Sequence, residues 1–333
     1  MHVRKILIAL AVGAIGFASV ATHAVADDNV NVRFSWKLKG EYGPLFLAEQ
    51  EGIFAKQHLK VRLGEGAGAP AALGALLQGQ EDVVILPGIF AISAIQKGMP
   101  IKLIAIWHPR TPVTIISHPD KPVLKPKDME GKSIAVSVGE TGTTYLDTFC
   151  KVNHVDCSKI KRVQVDAASR VNYFLQGQVD MVSVYQTNDL PALEEKVGKP
   201  FPKMDMAANG LAVPGLAAVS SDALIKKEPD VLKRFLAAVD QGIAATKKNP
   251  KLAAEAMLKN WPAGPSLKVV EQQVKATVEA INSENGHPAG WTDPNLITSS
   301  LELLRTESDI GKPRPVQAFY TNELLPASQT KTQ

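Results

Sequence analysis

The chain has 333 residues, is 45% hydrophobic and 21% charged, and carries a formal net charge of +4. That length suffices for two packed lobes rather than one. The lysines are spread along presumed helix faces and form no basic cluster, which excludes nucleic acid as the expected partner.

The first residues read as a leader. Met1–Lys5 is short and cationic, Ile6–Val20 is apolar, and Ala24-Val25-Ala26 stands just before Asp27. This is the pattern of a cleaved secretory signal, and the apolar run is shorter than the roughly 20 residues a bilayer requires. Removal of residues 1–26 takes Arg4 and Lys5 with it and leaves a charge of about +2. No cysteine stands beside the cleavage site, so no lipid anchor is expected. The mature protein is expected to be monomeric and soluble in a periplasm.

From Val30 the chain alternates strand and helix. The spacing predicts strands at Val30–Trp36, Leu59–Leu63, Asp82–Leu86 and Ile101–Ile106. Helices are predicted at Pro44–Gln57, Ala69–Gln78 and Ile89–Lys97. Such alternation means a mostly parallel α/β sheet. After a strand at Val113–Ser117, Pro119, Pro122 and Pro126 break the organisation. A second series follows, with strands at Ser133–Val138, Arg162–Val165 and Val179–Val184 and helices at Tyr145–Val152, Ala168–Gln176 and Asp189–Val197. Leu211–Ser220 reads as an extended crossing, and the remainder is helical. The expected division is one lobe from 27–115 plus 215–333 and a second from 120–210, with crossings near 116–119 and 211–214. The segment Leu76-Leu77-Gln78-Gly79-Gln80-Glu81-Asp82 is echoed by Phe174-Leu175-Gln176-Gly177-Gln178-Val179-Asp180. Each is a helix end, a glycine cap and a strand entered through Asp.

Cys150 and Cys157 are the only cysteines. In an oxidising compartment they are expected to form a disulfide. Cys150, His154 and Cys157 match no familiar zinc spacing, so no metal is expected. No nucleophile elbow, zinc-protease helix, phosphate-binding loop or dinucleotide fingerprint is present, so neither a catalytic residue nor a cofactor is assigned.

Ligands of parallel sheets bind beyond the carboxyl ends of the strands. Those ends carry Trp36 with Tyr42, Gly66-Ala67, Pro87-Gly88, Trp107, Gly139-Glu140-Thr141-Gly142-Thr143, Asp166, Tyr185, and Asn188-Asp189. The Gly139–Thr143 run opens a helix and offers N–H groups and hydroxyls to a polar or anionic group. Plain capping by Thr141 or Thr143 explains the same residues. Trp36 and Tyr42 either stack a planar ring or pack the core. His108 reads as a surface or rim residue. Arg110 and Arg170 are the only arginines near loops of interest. A strongly anionic ligand usually wants a bidentate Arg, so the expected solute is heteroaromatic or weakly acidic.

Taken together, these residues resemble the periplasmic binding proteins for thiamine-precursor pyrimidines, alkanesulfonates and taurine. The likeness rests on Trp36–Tyr42 leading into Leu47–Phe54, on Gln78–Asp82, Gly131–Val136, Gly177–Asp180, Tyr185–Asp189 and Ser221–Ile225. The resemblance implies a type II binding-protein fold. Its two α/β lobes close on a small organic solute and deliver it to an ABC-importer permease. It also implies two alternatives, a binder of sulfonate-, taurine- or nitrate-type anions and an extracytoplasmic sensor subunit. Family members often carry Tyr-x-Thr-Asn-Glu; here Asp189 stands in place of the Glu and Leu190 in place of a common Pro. A shorter carboxylate reaches less far toward an amino-pyrimidine. The family also contains yeast enzymes with a Cys-rich motif, which this chain lacks, so no enzyme is expected.

Overall fold

The computed structural model describes residues 27–281, 286–307 and 309–327. The expected leader lies outside them. Among the described residues ten strands form two five-stranded sheets: β1 (Asp28–Phe34), β2 (Leu59–Gly64), β3 (Val83–Pro87), β4 (Ile101–Ile106), β5 (Val113–Ser117), β6 (Ser133–Val136), β7 (Lys161–Gln164), β8 (Met181–Tyr185), β9 (Lys203–Asp205) and β10 (Leu216–Ser221). The orders are β2-β1-β3-β10-β4 and β7-β6-β8-β5-β9. β10 runs antiparallel to β3 and β4, and β5 antiparallel to β8 and β9. Four strands of each sheet therefore share one direction and the fifth opposes them, so both sheets are mixed.

The reversed strand has a topological cause. β4 ends facing the space between the sheets. The chain crosses directly, so β5 begins at that same end of the second sheet and must run away from it. The return crossing does the same for β10. The whole of β5 belongs to the second sheet, which corrects the expected boundary: Val113–Ile115 are not in the first lobe, and the first crossing is 107–112 rather than 116–119. Leu216–Ser221, read as part of an extended crossing, is a buried strand of the first sheet.

The sequence echo is also a structural one. Gly79 and Gly177 sit at φ +68° and +70°, a left-handed conformation that suits glycine. Gln80 N donates to Ala75 O and Gln178 N to Tyr173 O, both at 3.0 Å. The Asp82 carboxylate accepts Asn31 N at 2.7 Å, and that of Asp180 accepts Ser133 N at 2.9 Å. Each aspartate thus ties the entry of its own strand, β3 or β8, to the neighbouring parallel strand, β1 or β6. Glycine also ends the predicted Pro44–Gln57 helix early: Gly52, at φ +65°, divides it into Gly43–Gln50 and Ile53–Lys56.

Three apolar clusters hold the layers. One lies under the helices Gly43–Gln50 and Pro229–Lys248, which bury Leu232, Phe235, Leu236, Val239 and Ile243 at helical spacing. A second lies wholly within the second lobe around Phe174 and Val182. The largest spans both lobes. In it Phe90 meets Tyr145 with ring centroids 5.4 Å apart. The helix Pro294–Glu307 packs on both Gly88–Gln96 of the first lobe and Leu146–Val152 of the second. The Cys150–Cys157 disulfide closes the loop behind Leu146–Val152.

The two crossings bond to each other. Gly215 N donates to His108 O at 2.8 Å and Thr111 N to Val213 O at 2.7 Å. His108 is not on the rim as expected: it is 1% exposed, and its Nε2 donates to Thr277 O at 3.1 Å. Burial lowers its pKa from 6.5 to about 4. Between those values the unfolded chain takes up a proton that the folded chain refuses. Stability is therefore full above about pH 6.5 and falls as the pH drops toward 4. His108→Gln keeps a donor for Thr277 O, and urea melts across this range should show a shallower decline than the wild type; parallel slopes would refute the assignment. Reduction of the Cys150–Cys157 bridge should lower stability by about 2–3 kcal/mol on the chain-entropy account, read as a lower urea midpoint with reductant.

Candidate ligand-binding site

The parallel strands of both sheets point their carboxyl ends at one cleft. The non-atom space it encloses, open mouth included, is about 520 Å³. Ser35, Trp36, Lys39, Glu41, Tyr42, Leu86, Pro87 and Leu216 line it from the first lobe. Gly139, Glu140, Thr141, Arg170, Val184, Tyr185 and Asp189 line it from the second.

The cleft thus brings together Trp36, Tyr42, Pro87, Gly139, Glu140, Thr141, Tyr185 and Asp189 among the expected contacts. The others lie elsewhere. Trp107 is 3% exposed and belongs to the apolar core, with Gly290 against its indole. A Cβ at Gly66 would stand 2.1 Å from Phe34 O, so this glycine serves close backbone approach. Ala67 is exposed beside it. Gly88 is buried and donates its N–H to Gly215 O. Asp166 is exposed and borders a separate surface groove with Gln164 and Tyr173.

Gly142 and Thr143 do not offer free N–H groups. The Glu140 carboxylate accepts Gly142 N at 2.8 Å, Thr143 N at 2.9 Å and Thr143 Oγ1 at 2.7 Å. The chain supplies its own anion to this helix start, which corrects both the expected acceptor site and the expected threonine cap. Thr141 Oγ1 instead meets Tyr185 Oη at 3.2 Å.

The aromatic residues divide by role. Tyr42 is 1% exposed and stacks on Phe34, centroids 3.9 Å apart and planes 8° apart; its ring is core and forms the cleft wall. Trp36 is half-buried and borders both the cleft and the wider groove outside it. Lys39 Nζ lies 4.1 Å from the centre of the Tyr185 ring.

Charge is nearly matched. Lys39 Nζ stands 3.8 Å from Asp189 Oδ2, and Arg170 Nη1 stands 3.8 Å from Glu140 Oε2. Glu41 is 4% exposed and makes no ion pair among the described residues. Burial raises its pKa, against the opposing effects of Lys39 and a hydrogen bond with Tyr42. Burial likewise raises the pKa of Tyr42 and of Tyr185. No histidine or cysteine lines the cleft among the described residues.

Sequence reasoning missed Ser35, Lys39 and Glu41, and it named Arg170 near the loops of interest without placing it in the site. Ser35 immediately precedes Trp36, and Lys39 and Glu41 lie between Trp36 and Tyr42. The short turn Gly40–Tyr42 turns Glu41 inward. Arg170 starts the helix Arg170–Leu175, beyond the strand-end residues on which the reading concentrated.

Asn188 does not line the cleft; it joins the lobes. Its Oδ1 accepts Glu41 N at 3.1 Å and its Nδ2 donates to Glu41 Oε2 at 3.3 Å. Gln273 Nε2 donates to Asn188 O at 2.6 Å, while Gln273 Oε1 accepts Gly40 N at 3.1 Å. All these groups are buried, where such bonds are strengthened and their loss is costly.

Two mixed sheets whose strand ends face a shared cleft form the two-lobed fold of periplasmic binding proteins. The alkanesulfonate-binding protein SsuA from Xanthomonas axonopodis pv. citri, solved bound to MOPS, matches with a TM-score of 0.68 and 17% identity, over 91% of this chain and 100% of that one. The chain belongs to the NMT1/THI5-like family, whose model matches residues 39–253. It is similar to the riboflavin-binding protein RibY of Chloroflexus aurantiacus, 22% identical over 86% of this chain and 83% of that protein. It is also similar to the 4-amino-5-hydroxymethyl-2-methylpyrimidine phosphate synthase of Legionella pneumophila, 21% identical over 89% of this chain and 92% of that one.

Asn188→Ala removes both side-chain bonds to Glu41 and leaves a buried acid short of a partner. It should lower stability by about 1–3 kcal/mol and shift the unliganded protein toward an open form. Small-angle scattering should show a larger radius of gyration; an unchanged radius would mean that this bridge does not hold the lobes together.

Proposed function

We propose that this protein is the periplasmic solute-binding subunit of an ABC-type importer. It captures a small planar heteroaromatic molecule bearing hydrogen-bond donors. The observation that carries this reading is Glu41. Lys39 is matched by Asp189 and Arg170 by Glu140. Glu41 is then the acid without an ion pair among the described residues, on the wall of a cleft lined by Trp36, Tyr42 and Tyr185. Its complement is an amino or ring N–H group rather than a free anion.

Trp36 is the ring placed to stack the solute. In the mechanism the solute settles on the first lobe, and the second swings over it about the paired crossings. Asn188 then meets Glu41 and Gln273. Only contacts that exist in the closed form favour closure. The relatives named for riboflavin and for a pyrimidine product support a heteroaromatic ligand. The SsuA likeness favours a sulfonate instead, and a buried acid on the cleft wall opposes it.

The test is a thermal-shift and calorimetric screen of the chain from Asp27 with aminopyrimidines, flavins, aromatic acids, taurine, alkanesulfonates and nitrate. An amino-heteroaromatic should give a saturable rise, worth about 2.7 kcal/mol at 100 times its Kd. Trp36→Ala should weaken that binding by about tenfold, and mass spectrometry should recover the molecule unchanged. A response confined to sulfonates or nitrate would overturn the ligand class, and turnover would overturn the binding role.

A further inference from the structure

Arg170 is 6% exposed and lines the cleft. Its Nη1 donates to Ser183 O at 2.6 Å and to Ser183 Oγ at 3.2 Å. Those bonds fix the plane of the guanidinium and use one end of it. The other edge, Nε with Nη2, receives no hydrogen-bond acceptor from the described residues, and Nε is a buried donor without a partner. Of the four buried side-chain atoms left unpaired among the described residues, this is the one on a cleft residue. Native proteins seldom leave a buried guanidinium N–H unmatched. The Nε–Nη2 edge is one of the flat edges of a guanidinium, whose two N–H groups can converge on a single oxygen or pair with two.

We propose that Arg170 is a specificity-determining residue whose Nε–Nη2 edge reads a carbonyl oxygen on the ring of the solute. A neutral acceptor fits because Glu140 already lies 3.8 Å from Nη1, so the guanidinium does not require a second carboxylate. This deepens the preceding proposal and rests on it. The solute becomes a donor–acceptor heterocycle of the aminopyrimidinone type, with its amino group toward Glu41 and its lactam oxygen toward Arg170. Ser183 holds Arg170 in position and makes no contact of its own in this scheme.

The test compares 4-aminopyrimidine with cytosine, which adds a ring carbonyl, and with 4-aminopyrimidine-5-carboxylate, by calorimetry on the chain from Asp27. Cytosine should bind at least about tenfold tighter than 4-aminopyrimidine. Arg170→Gln should reduce that ratio to near one. Arg170→Lys, which keeps the charge but loses the flat edge, should do the same. Equal affinity of the wild type for the first two probes would overturn the role of Arg170 and leave the heteroaromatic reading standing. A loss that is equal for all probes in both variants would reduce Arg170 to a structural part. Preference for the carboxylate would overturn the neutral acceptor. No binding of any probe would overturn both proposals. The wild-type comparison stands even where a variant fails to fold.

Discussion

The chain passes between its two sheets twice, and both passages run along the same edge of the cleft. From that constraint the reversed strands β5 and β10 follow. So does the convergence of the parallel strand ends on one space, and so does the pairing of the two crossings, which bond to each other. The cleft is a consequence of connectivity before it is a matter of particular side chains. The side chains then specialise it.

The junction between the lobes is uneven, and the unevenness has a physical meaning. On one side Phe90, Tyr145 and the helix Pro294–Glu307 form a continuous apolar seam. On another, Asn188, Glu41 and Gln273 meet through polar groups. Apolar contact is non-directional and tolerates sliding. Hydrogen bonds are directional and are either made or broken. A rotation that opens the polar side while the apolar side rolls changes the fewest strong interactions. Glu41 stands where that polar side meets the cleft, so the group that bonds Asn188 also lines the cleft.

Much of the fold was legible because its signals are local. Alternation of short apolar strands with amphipathic stretches predicted the α/β order, and the paired motifs ending in Asp82 and Asp180 pointed to two similar halves. The lobe boundary was less legible, because Val113–Ser117 is equally apolar in either sheet and only its pairing with β8 assigns it. Part of the cleft lining was legible. Strand ends located Trp36, Thr141, Tyr185 and Asp189, since the carboxyl end of a parallel strand is a fixed address. Trp107 obeys the same rule yet points into the core, because at a strand end either face can be buried. Glu140 was read as part of an acceptor loop, and nothing in the sequence says that its carboxylate folds back onto Gly142 and Thr143. Arg170 and Glu41 enter the cleft through a helix start and a short turn, where orientation depends on packing rather than on period.

The position of β10 between β3 and β4 governs the order in which the molecule can be completed. All five strands of the second sheet lie within residues 113–205. That sheet is a contiguous length of chain and can close on itself as soon as it has been synthesised. The first sheet cannot. Until residues 216–221 arrive, β3 and β4 face a gap one strand wide, with their inner edges unpaired, and such edges invite wrong partners. The seam waits longer still, since its helix begins at Pro294. The half of the protein that starts first is therefore the half that finishes last. Its unfinished edges are exposed for as long as the second lobe takes to emerge and fold.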